Sequence, residues 1–109
     1  MNPMLSVPSP QDPIHVCIDR DLEDLIPIFL ANRRKDLEKL RTALSQKDFE
    51  TIGMLGHRMK GDGGGYGFQA ITEIGRTMEL AAGRHDQPAI GQALAQLEDF
   101  LSRVTVDFQ

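Results

Sequence analysis

Apolar residues recur at spacings of three and four along most of this chain, with charged residues filling the gaps. That period predicts amphipathic helices. The first begins in RDLEDLIPIFL, with Asp19 as its N-cap and acids in its first turn. Pro27 falls inside the pattern. It either kinks this helix or starts a second one at the first helical position. Beyond it Phe29, Leu37, Leu40 and Leu44 keep the period, while Arg33, Arg34, Lys35, Asp36, Glu38, Lys39 and Arg41 fill the other faces. SQKD reads as a turn, with Asp48 capping the next helix. That helix starts at Phe49, carries the stripe Ile52, Leu55 and Met59, and ends between Gly61 and Gly65. A third follows Gly67, with Ile71, Ile74, Met78 and Ala81 or Ala82 as its stripe. Gly83 is expected at its C′ position. Asp86 then caps a last helix with Pro88 in its first turn, and Ile90, Leu94, Leu97, Leu101 and Val104 form the stripe.

Strand-like alternation is confined to Val16/Ile18 and Val104/Val106. The first pair is too short to assign and is expected to cover one end of a core. Four amphipathic helices on short loops predict an all-α fold. The expected architecture is an antiparallel up-and-down four-helix bundle with a short N-terminal irregular or helical extension. Residues 1–14, with prolines at 3, 8, 10 and 13, form a proline-rich leader, and residues 15–109 form the domain. The start Met and this leader point to a free-standing protein, with a fragment of a larger sensor kinase as the alternative.

Composition narrows the function classes. The chain has 109 residues, 40% hydrophobic and 26% charged, which fits one compact domain. No apolar run approaches the roughly 18 residues that cross a bilayer, and the N-terminus lacks the pattern of a signal peptide. Cys17 is alone, which excludes an internal disulfide and points to a reducing compartment. The net charge of -4 disfavours nucleic acid as a partner. A cytoplasmic monomer with no membrane association is expected.

The stretch GHRMKGDGGGYGF, residues 56–68, concentrates six glycines around His57. At about 100° per residue, His57 lies roughly 170° from the mean direction of its helix's core stripe. Gly53, Lys60, Gly61 and Gly64 share that outer face. A helical glycine costs about 1 kcal/mol relative to alanine, so an ordinary solvated face would carry other residues. The pattern clears space for another surface to approach His57 and leaves one cation beside it. A lone exposed histidine next to a loop is the competing reading of the spacing. A P-loop needs Gly-Lys-Ser/Thr where Asp62 stands, and a dinucleotide fingerprint needs a preceding strand. His15, His57 and His85 lack partners at metal-ligand spacing, so no metal site is expected.

His57-Arg58-Met59-Lys60-Gly61, with Gly64, Gly67, Ile71, Ile74 and Met78-Glu79, resembles the signature of histidine-containing phosphotransfer (HPt) domains. LIPIFLANRRKDLEKLRTAL and KDFETIGMLGHRMKG resemble that family's first long helix and its approach to the histidine. The resemblance covers about residues 18–105. It implies a four-helix bundle with His57 exposed on the second helix as the phosphoryl carrier. It also implies Lys60 beside the phosphoryl oxygens, and Gly61 and Gly64 as room for the partner. At the position where many members bond the other imidazole nitrogen stands Glu79, roughly 110° from its helix's core direction, and an ordinary surface glutamate is the alternative. Gly53, Arg58 and Arg76 are expected to help docking. The implied partners are response-regulator receiver domains and a hybrid histidine kinase, with no cofactor in this chain and Mg²⁺ in the receiver.

Three features depart from the family pattern. Met59 replaces Leu, the glycine triplet at 63–65 is richer, and Tyr66 stands where an apolar residue is common. Gly67 reads as the turn into the third helix, and Gly56, toward the core, as a close packing point. Gly63 and Gly65 have no role beyond loosening the helix end. The expected function is a phosphorelay intermediate without its own kinase catalytic domain, hence not an enzyme on its own. The alternative is a helical module that docks receivers without carrying phosphate. A hydrolase or metal-binding bundle is a third reading.

Overall fold

A computed structural model describes residues 12–109. Of the leader assigned to residues 1–14, residues 1–11 lie outside the described residues. Four helices, α1 (Ile26–Ser45), α2 (Phe49–Gly65), α3 (Gln69–Gly83) and α4 (Gln87–Arg103), follow one another on short connections. Two strands flank them, β1 (Ile14–Ile18) and β2 (Val104–Phe108). Each helix packs on its sequence neighbours, and α4 packs on α1, closing a four-helix bundle. No helix among the described residues is long and apolar enough to cross a membrane.

The strands correct the all-α expectation. β1 and β2 pair in parallel, with Ile14 opposite Val104 and Ile18 opposite Phe108. Ile14, Val16, Val104, Val106 and Phe108 pack against the core, while His15, Cys17, Thr105 and Asp107 are exposed. Period-two alternation therefore exists in both segments. β1 begins at Ile14, inside the segment assigned to the leader, and Val104 leaves the α4 stripe to begin β2. The expected irregular or helical extension is β1 followed by a 3-10 turn at Arg20–Leu22, which Asp19 caps by accepting from the Asp21 amide at 2.8 Å. The helix starts afresh at Ile26, with Pro27 in its first turn where no amide donor is needed.

Asp48 caps α2 by accepting from the Thr51 amide at 3.1 Å, and Asp86 caps α4 by accepting from the Ala89 amide at 3.1 Å. Gly83 is the last residue of α3 and not its C′ residue. The left-handed residue of that connection is His85 (φ 55°), whose amide donates to the Ala82 carbonyl. The core joins Leu40, Ile52, Met59, Phe68, Ile71, Met78, Ile90 and Leu97, all nearly inaccessible.

Arg33 and Asp36 depart from the polar faces assigned to them: both are buried. Arg33 Nε stands 3.0 Å from Asp36 Oδ2, and the guanidinium sits 4.9 Å above the Phe29 ring. Each charge is tolerated inside because the other neutralises it.

Candidate functional site

The site is built on α2. Burial of Ile52, Leu55 and Met59 turns the opposite side of the helix outward, and the His57 side chain is 69% exposed there. Its neighbours along that side are small. A Cβ on Gly61 would meet nothing within 4 Å, one on Gly64 only the Thr72 hydroxyl at 3.5 Å, and one on Gly53 the Ala82 Cβ at 3.6 Å. The face around the imidazole is therefore nearly bare backbone.

That bareness weakens the helix. Gly61, Gly63, Gly64 and Gly65 together forgo about 4 kcal/mol of helix propensity relative to alanine, yet α2 continues to Gly65. Contacts from α3 help to hold it. The Thr72 hydroxyl donates to the Lys60 carbonyl at 3.0 Å. Gly63, expected to have no role, is where α3 comes closest to this end of α2. A Cβ there would stand 2.6 Å from the Thr72 amide nitrogen. Gly67 makes the turn into α3 with φ +88°, a left-handed conformation.

Glu79 reaches the site because two glycines let α3 lie against α2. A Cβ on Gly56 would stand 2.8 Å from the Glu79 amide nitrogen, and one on Gly75 2.5 Å from the Lys60 amide nitrogen. Gly56 immediately precedes His57, so the close approach sets Glu79 beside the imidazole. Glu79 Oε2 lies 2.8 Å from His57 Nδ1, and Glu79 Oε1 lies 2.8 Å from Lys60 Nζ. One carboxylate thus bridges the ring and the ammonium group. The hydrogen bond from Lys60 is the largest influence holding the Glu79 carboxyl below the ordinary glutamate range; desolvation opposes it, and the weaker hydrogen bond with His57 adds to the lowering.

An ionised carboxylate only accepts hydrogen bonds, so His57 Nδ1 carries the proton. In the neutral imidazole the lone pair is then on Nε2, the nitrogen Glu79 leaves unused. The chemical capacity of this arrangement is a tautomer-fixed, exposed nitrogen nucleophile beside a cation.

Arg58 and Arg76 are exposed, and among the described residues no ion pair ties either to the His57–Lys60–Glu79 group. The other histidines stay apart. His15 Nδ1 pairs with Asp107 at 3.1 Å on the sheet, and the His85 ring stacks on Phe49 at 4.3 Å. An open groove of about 350 Å³ runs beside Glu79, bordered by Gly53, Ala82 and His85. Tyr66 stacks on Phe29 with ring centroids 4.6 Å apart. Gly75 and Thr72 are the contributors not singled out from sequence. Their signal was present, as small residues facing the glycines of α2 across a helix pair.

Comparison with family models matched residues 24–106 to the Hpt domain, a phosphotransfer module of two-component signalling. No curated protein and no solved structure matched the chain. The matched span runs from just before α1 into β2 and contains every candidate site residue, so the chain belongs to the Hpt domain family and with it to phosphorelay signalling.

Proposed function

We propose that this protein is a phosphorelay intermediate in which His57 Nε2 accepts a phosphoryl group from a receiver-domain aspartyl phosphate and passes it to another receiver. The observation that carries this reading is the 2.8 Å contact between Glu79 and His57 Nδ1 beneath an exposed ring. It leaves the outer nitrogen as the nucleophile. In the forward step the Nε2 lone pair forms the N–P bond, and the P–O bond to the partner's aspartate breaks. That electron pair returns to the aspartate carboxylate. The imidazole becomes cationic while keeping its Nδ1 proton, and the adjacent Glu79 carboxylate stabilises that charge. No proton has to move, so the reverse transfer needs no separate acid.

Lys60 lies one helical turn from His57 on a flexible stem. In this reading its ammonium turns from Glu79 to the phosphoryl oxygens during transfer, which is mainly a positioning and charge problem. Gly53, Gly61 and Gly64 admit the partner's surface, and Arg58 and Arg76 flank it as docking charges. Mg²⁺ belongs to the receiver. The partners are receiver domains and a hybrid histidine kinase, and the protein works in the cytoplasm. The antiparallel up-and-down course of the helices belongs to this reading too, supported by their short connections and neighbour-to-neighbour packing.

The test is to mix the chain with a ³²P-labelled, phosphorylated receiver. An acid-labile, base-stable label is expected on the wild type and none on His57→Gln. Labelling unaffected by that substitution refutes the assignment, and binding without labelling favours the docking module.

A further inference from the structure

Arg33 and Asp36 are the buried charged residues among those described. Their paired atoms, Nε and Oδ2, have no aligned hydrogen bond, so the contact is electrostatic. Buried ion pairs stabilise a fold less well than apolar residues of the same size, so stability alone does not explain this one. The guanidinium reaches one further group: its Nη1 donates to Asp62 Oδ2 at 3.3 Å.

Asp62 is itself out of place. It lies in the last turn of α2, the negative end of the helix dipole, where a cation is favoured, and that turn has no basic residue. It is also surrounded by Gly61, Gly63, Gly64 and Gly65, residues that favour fraying. Two contacts from α1 converge on this weak end. Arg33 holds Asp62, and Phe29, under the same guanidinium, stacks on Tyr66 just beyond the helix.

We infer that Arg33, acting through Asp62, is a positioning residue for phosphotransfer. It keeps the glycine-rich end of α2 helical, so that Gly61 and Gly64 meet the partner as a preformed surface. The functional half of this inference rests on the phosphotransfer reading of His57. A frayed segment has to be ordered when the partner docks, which weakens docking without changing the chemical step. The effect belongs in KM and not in kcat.

The test variant is Asp62→Asn. It keeps the shape and roughly the helix propensity, and it removes a charge that the dipole disfavours. The first effect is neutral and the second favours the variant, so a loss of order reports the lost tether. Amide exchange over residues 61–66 is expected to rise about tenfold or more, with the global unfolding midpoint little moved. With a receiver that phosphorylates the wild type, KM is expected to rise several-fold at unchanged kcat. Phosphorylation of His57 by phosphoramidate, which needs no docking surface, is expected to stay at the wild-type rate. The double variant Arg33→Met/Asp36→Leu removes the tether without orphaning a buried charge and is expected to behave alike.

Unchanged exchange over 61–66 in both variants overturns the inference. Faster exchange with unchanged KM overturns its functional half and leaves a structural brace. Equal loss of the phosphoramidate and receiver reactions overturns it as well, because His57 itself is then displaced. A wild-type chain that takes no phosphoryl group from either donor sinks the phosphotransfer reading instead, and the exchange result still decides whether the tether orders the helix end.

Discussion

Gly75→Ala separates the placement of Glu79 from the stability of the bundle. The added Cβ would stand 2.5 Å from the Lys60 amide nitrogen, 2.6 Å from the Gly56 carbonyl oxygen and 3.0 Å from the Met59 carbonyl carbon. All three are backbone atoms, so no rotamer change relieves the clash. Comfortable carbon contacts lie at ~3.5–4.0 Å, so α3 has to retreat from α2 by on the order of 1 Å. Overpacking of this kind costs about 1–3 kcal/mol. The alanine returns about 1 kcal/mol of helix propensity. The expected net loss is therefore small, about 0–2 kcal/mol by urea unfolding. The site suffers more. Glu79 holds His57 and Lys60 at 2.8 Å each, and after a retreat its carboxylate cannot span both within hydrogen-bond range. A long-range ¹H–¹⁵N spectrum of His57 should show the Nδ1–H tautomer dominant in the wild type and a mixture in the variant. Gly65→Ala is the control, since a Cβ there meets nothing within 4 Å. If Gly75→Ala behaves like that control, stabilised and with its tautomer unchanged, close helix approach does not place Glu79.

Gly61→Ala should stabilise the protein by up to ~1 kcal/mol yet slow transfer, because its Cβ fills open space one turn from His57; equal transfer rates in stopped assays would remove the clearance role. Lys60→Ala should keep the fold, being at the surface, and should slow transfer or alter the lifetime of the phosphohistidine, read by label decay; no change in either removes its role. Asp48→Ala should cost about 1 kcal/mol by loss of the α2 cap. Hydrogen bonds from the Thr51 hydroxyl and amide hold the Asp48 carboxyl below its usual range, and Lys60 and His57 do the same for Glu79. A lowered folded pKa stabilises fully above the ordinary carboxylate range and is lost as pH falls through the lowered value. Stability should thus decline on the acid side, and Asp48→Ala should show a shallower decline.

The helices were legible because their stripes are long. Ile52, Leu55 and Met59 define the buried side of α2 without any tertiary knowledge, and the outward direction of His57 follows from it. The sheet was not legible because each strand has five residues and its partner lies at the other end of the chain. Val16/Ile18 and Val104/Val106 showed the alternation, but nothing local says that they pair. Arg33 and Asp36 were assigned to polar faces by residue type, and only the joint burial of an ion pair under α2 reverses that. Conversely Ile28, Met54 and Leu80 look like core residues by type and are more than half exposed. For the site, spacing placed His57, Lys60 and the glycines on one face. The reach of Glu79 depends on Gly56 and Gly75 meeting across two helices, a contact that one helix's periodicity does not contain. Gly83 looked like the helix terminator, but the chain turns left-handed at His85, whose ring is held by stacking on Phe49.

Phosphotransfer through this site requires the phosphoryl group on one nitrogen of one histidine. The direct measurement is a ¹⁵N spectrum of uniformly labelled protein after reaction with phosphoramidate, read for coupling to ³¹P. The expected result is one phosphorylated residue, His57, with the coupling on Nε2 and the proton retained on Nδ1 facing Glu79. Phosphate on Nδ1 of His57, on His15 or His85, or on no histidine contradicts it.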